Sequence, residues 1–153
     1  MPTSVATVEP HSPSRARAEK QSITRYLAPL GRVAFAAIFL PSAILHFSPS
    51  YVQYAAASGV PLPQVLVPLS GLLATAGGLS VALGYRARLG AWALVLFLIP
   101  VTLTMHAFWR VADPTMAQMQ YAMFLKNVSI LGGALLIAHF GAGPVSLDAR
   151  AIG

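Results

Sequence analysis

Four apolar stretches, at about residues 28–47, 62–84, 88–108 and 119–142, constrain this chain more than any other feature of it. Each approaches the roughly 20 residues an α-helix needs to cross the hydrocarbon of a bilayer. A buried soluble bundle would need polar outer faces at helical spacing, and a run such as "LGAWALVLFLIPVTLTM" has none. The expected fold is therefore all-α, an integral membrane four-helix bundle over residues 25–148. Only 9% of the residues are charged, against the quarter usual in soluble domains, and these charges flank the apolar runs. A net charge of +6 placed in this way meets lipid headgroups, with no basic face interleaved with aromatics for nucleic acid. The chain has no cysteine, which excludes disulfides, thiolate metal sites and thiol relays within it.

Residues 1–24 are rich in Pro, Ser and Arg and hold no apolar core, so they read as a disordered tail. Glu9 and Glu19 argue against a mitochondrial targeting segment there. Residues 149–153 form a short C-terminal tail. Of the ten Lys and Arg residues, eight (Arg15, Arg17, Lys20, Arg25, Arg32, Arg86, Arg88 and Arg150) fall on the side shared by the termini and the loop between spans two and three. Positive charge is retained in the cytoplasm, so both termini are expected there.

The order Gly, Pro, His, Gly-Gly occurs twice: Gly31, Pro41, His46, Gly77-Gly78, then Gly90, Pro100, His106, Gly132-Gly133. It reads either as two parallel two-helix repeats or as chance similarity between apolar segments. The glycine pairs suit close helix contact in lipid. The three intraspan prolines, Pro41, Pro68 and Pro100, each delete a backbone hydrogen bond, and their kinks are places where a cavity can open.

The candidate site lies at the outer ends of the spans. His46 and His106 close the outward-running first and third spans, and Lys126 and Asn127 open the inward-running fourth. Trp109 and Arg110 stand three and four residues from His106, on its helical face. Ionisable groups at this depth are costly and mark a functional site by default. The plainer readings are an interfacial belt residue for Trp109 and snorkelling anchors for Arg110 and Lys126.

"GYRARLGAWALVLFLIPVTLTMHAFW", "FLKNVSILGGALLIAHFGAGPVSLD" and "GRVAFAAIFLPSAILHF" together resemble the DoxX family of small four-helix membrane proteins of the bacterial inner membrane, over residues 28–148. The resemblance implies association with oxidoreductase systems, among them thiosulfate:quinone oxidoreductase and a complex with a sulfurtransferase and a superoxide dismutase. It favours a membrane subunit that binds quinone through donors from His46, His106, Trp109, Arg110, Lys126 and Asn127. The alternatives are a non-catalytic anchor or assembly subunit recruiting a soluble redox partner, b-haem held between His46 and His106, and passage of a small anion. The glutamate expected in the second span of that family is absent from "GLLATAGG", so a proton route would fall to the histidines.

Overall fold

A computed structural model describes Ser22 and residues 24–151. The disordered tail expected over residues 1–24 lies, apart from Ser22 and Thr24, outside the described residues. All regular structure among the described residues is helical: α1 (Leu27–Ala36), α2 (Phe39–Leu45), α3 (Pro49–Ala57), α4 (Pro63–Leu83), α5 (Ala87–Met105), a 3₁₀ turn (Phe108–Arg110), α6 (Pro114–Phe140) and α7 (Leu147–Arg150).

Three helical segments, Pro63–Leu83, Ala87–Arg110 and Pro114–Phe140, are long and apolar enough to cross a membrane. The first of the four expected spans is built differently. It is two short helices separated by Ala37 and Ile38, because Pro41 has no N–H for the Ala37 carbonyl and its ring crowds that group. Pro68 and Pro100 sit inside α4 and α5, which continue through them. The two halves of the expected repeat also differ at their glycines. A Cβ on Gly90 would strike the Ser80 side chain, whereas a Cβ on Gly31 would meet nothing within 4 Å.

The core lies where α4 and α5 meet. Ala74, Val81, Ala91, Leu94 and Leu98 are buried there with Phe39 from α2 and Ala134 from α6. Backbone meets backbone at Gly77, where a Cβ would lie 2.9 Å from the Gly90 carbonyl oxygen. Backbones can approach this closely only without side chains, which is how helices gain contact in lipid. Outward-facing leucines such as Leu72, Leu103 and Leu136 stay exposed, as a hydrocarbon solvent allows.

At the end that carries both ends of the described chain, polar groups tie three elements together. α4 stops at Gly84 in the left-handed region (φ 65), where the Gly84 and Tyr85 N–H groups donate to the Val81 and Ser80 carbonyls. α5 then starts without a cap from its own sequence, Arg86 having φ 47. Asp148 supplies one from 61 and 62 residues away: Oδ1 accepts from the Arg86 N–H at 2.6 Å and Oδ2 from the Ala87 N–H at 3.0 Å. A carboxylate at a helix N-terminus satisfies orphan donors and opposes the helix dipole. The buried guanidinium of Arg32 donates to the Ala142 and Val145 carbonyls and feels the charge of Asp148. Residues 142–148 thereby clasp α1 to the α4–α5 turn.

Candidate functional site

The opposite end holds an apolar cavity. α3 begins at Ser48, whose hydroxyl accepts from the Tyr51 N–H, with Pro49 at the first helical position. The helix caps the space between α4 and α5, burying Ala55 with Val67 and Met105. Beneath it lies a pocket of about 480 Å³, within the range of small-molecule sites. Pro100, inside the continuous helix α5, lines this pocket.

Only four of the sixteen lining residues, His46, Tyr51, Ser70 and Thr104, carry a polar side-chain atom. Both hydroxyl protons are committed: Ser70 Oγ donates to the Val67 carbonyl at 2.8 Å, and Thr104 Oγ1 to the Pro100 carbonyl at 2.7 Å. The other twelve lining residues present hydrocarbon to an occupant. The exposed side chains of Leu66, Leu69 and Leu96 also line the pocket, so it opens on the lipid-facing side of α4 and α5.

His46 is buried at 3% exposure, with ring centroids 4.9 Å from Tyr51 and 5.9 Å from Phe97. Its seat is Gly71, where a Cβ would come within 2.5 Å of the histidine's own Cβ. Burial, and then the neighbouring Tyr54, hold the Tyr51 phenol above its ordinary pKa, so it stays a neutral donor.

A second pocket of about 400 Å³ shares Thr104 and Met105 with the first. Tyr54, Ser58, Arg110 and Gln120 give it a polar lining. His106 Nδ1 donates to Gln120 Oε1 at 2.8 Å, and Gln120 Nε2 donates to the Tyr54 hydroxyl at 3.1 Å. That chain of bonds fixes the carboxamide and the imidazole tautomer together.

The six expected site residues are therefore distributed. His46 lines the apolar pocket and Arg110 the polar one, with His106 joined to the latter through Gln120. Trp109 is exposed and packs edge-on against Phe108 and Phe124. Lys126 is exposed on α6, while Asn127 beside it is buried. Tyr51, Tyr54, Gly71 and Gln120 were not singled out from the sequence. The Ser-Pro start of "SPSYVQYAAASG" and its tyrosines three apart were the available signal for a helix presenting two phenols.

The chain matches the SURF4 family model over residues 11–151, nearly its whole length. It belongs to the SURF4 family. It is similar to the inner membrane protein YphA of Escherichia coli, with 29% identity over 65% of this chain and 70% of that protein. It is also similar to the inner membrane protein YqjF of the same organism, with 33% identity over 63% and 68%. The ER-derived vesicles protein ERV29 of Saccharomyces cerevisiae is 30% identical over 52% of this chain, but the match spans only a quarter of ERV29. No solved structure matches the chain significantly.

These findings correct the DoxX resemblance, and with it the quinone-binding oxidoreductase subunit and the redox-partner anchor that it implied. The physical reason lies in the residues that carried it. "GPVSLD" folds as the clasp on α5, and Phe108 and Trp109 pack on Phe124 at the first turns of α6. Both are architectural roles of a helical membrane bundle and specify no redox chemistry. Its family and its three helices of membrane-spanning length make it an integral membrane protein.

Proposed function

We propose that this protein is a non-enzymatic binding protein of the membrane, which holds the hydrocarbon part of a client molecule in the pocket beneath α3. The observation that carries this reading is the pocket's lining, hydrocarbon except for one imidazole, one phenol and two hydroxyls whose protons are bonded to helix carbonyls. It offers no carboxylate, and a lining this apolar is suited to enclose and release. The relatives support the same class: two are named for an inner membrane and one for vesicles, settings in which a carrier or receptor acts.

In this reading α1 and α2 together act as the fourth span, since their combined length, about 1.5 Å per residue from Leu27 to Leu45, approaches the hydrocarbon thickness. The protein sits in a bacterial inner membrane with both termini cytoplasmic, which puts α3 and both pockets at the outer side. Lipid extraction of the purified protein tests the binding function. An amphiphile enriched over bulk membrane lipid is expected on the native chain and lost from Val101→Phe and Ser70→Leu, which fill the pocket. Bulk composition on all three would overturn the reading.

A further inference from the structure

A hydrocarbon chain that leaves a bilayer for an apolar pocket exchanges one hydrocarbon environment for another, so its burial contributes little selectivity. Discrimination must come from a polar anchor beside the pocket. The second pocket provides one, because Arg110 lines it and the two cavities share Thr104 and Met105.

Among the described residues the Arg110 guanidinium has no carboxylate or hydrogen-bond partner. The acid nearest in sequence, Asp113, is committed elsewhere: its Oδ1 accepts from the Met116 N–H at 2.8 Å and caps α6. Facing the same cavity are the Tyr54 hydroxyl and the Gln120 carboxamide, held in place by His106. Gly59, at φ 86, lies beside the guanidinium, where a Cβ would come to ordinary contact distance, 3.9 Å, from Arg110 Nη1. A cation flanked by fixed neutral donors is complementary to a carboxylate or phosphate.

We infer that the client is a single-chain amphiphile with an anionic head, its head on Arg110 in the polar pocket and its chain over Met105 into the apolar one. The inference rests on the hydrocarbon-binding reading above and names the ligand class for it. The pocket volume favours one chain: at about 30 Å³ for each water-sized group, 480 Å³ holds about sixteen groups, short of a diacyl lipid.

The full-length protein in nanodiscs of zwitterionic phosphatidylcholine can be tested with radiolabelled dodecyl phosphate and dodecanol, scoring retention above empty discs. The native chain is expected to retain dodecyl phosphate about tenfold better than dodecanol. Arg110→Gln, at an exposed position, should bring dodecyl phosphate down to the level of dodecanol, and Arg110→Lys should restore part of the preference. Equal retention of the two probes by the native chain, or an undiminished preference in Arg110→Gln, overturns the anionic head while leaving hydrocarbon binding in place. Retention of neither probe overturns both readings. Displacement of dodecyl phosphate by diacyl phosphatidate at equal membrane content overturns the single chain and assigns Arg110 to a bilayer headgroup.

Discussion

Two glycines show how much a single side chain is worth in this bundle. Gly71 is the floor on which His46 rests, and a methyl group there would collide with the imidazole's own Cβ and Cγ, which cannot swing away as the tip of a flexible chain could. Gly71→Ala is expected to cost about 1–3 kcal/mol through overpacking and to expel His46 from the pocket. Gly132 meets nothing within 4 Å, so Gly132→Ala should be neutral or stabilise by about 0.5–1 kcal/mol through helix propensity. Thermal unfolding in mild detergent checks the pair. Equal effects at the two positions would contradict the contact at His46. From the sequence Gly132, in a glycine pair, reads as a helix-contact residue and Gly71 does not, whereas in the structure Gly71 meets His46 and Gly132 meets nothing, because helix rotation sets which glycine faces a partner. His46 was legible as a buried polar group, but its partners Gly71, Tyr51 and Phe97 lie on three other elements that spacing alone cannot bring together.

At the scale of elements, the clasp made by residues 142–148 is the least expected feature. Arg32 reads from the sequence as a topology charge and Asp148 as the last residue of a stretch that carried the family resemblance. The structure instead uses Asp148 to cap a helix more than sixty residues away and Arg32 to hold the carbonyls of the segment that delivers it. Asp148→Ala should destabilise by about 1–3 kcal/mol, the range for removing a charged acceptor from otherwise unsatisfied donors. Asp148→Asn should cost less, since asparagine caps helices nearly as well. A chemical-denaturation midpoint that does not move in Asp148→Ala would remove the cap from the account. The helices themselves were well legible: three expected spans fall within a few residues of α4, α5 and α6. α3 was not, because a nine-residue helix with little charge and several alanines resembles an apolar loop until its Ser48 cap is recognised.

For the whole molecule, charge asymmetry makes the orientation testable. The native chain lacks cysteine, so single cysteines can be introduced without background. Ser58→Cys and Ala112→Cys should react with a membrane-impermeant maleimide added outside intact cells, and Ala149→Cys only after the membrane is opened. The reverse pattern would invert the bundle and place both pockets on the cytoplasmic side. Membrane insertion was legible because composition alone enforces it. Function was not, because an apolar four-span pattern with polar ends is common to unrelated families, and the pocket behind the proposed function is assembled from α3, α4, α5 and His46 together. The most direct test is to map where a dodecyl chain bearing a terminal diazirine crosslinks to the protein in a bilayer. Adducts should concentrate on pocket residues such as Val67, Leu73, Phe97 and Val101. Adducts spread instead along the lipid-facing side of α6, at Leu125, Val128 and Leu136, would contradict a hydrocarbon-binding site beneath α3.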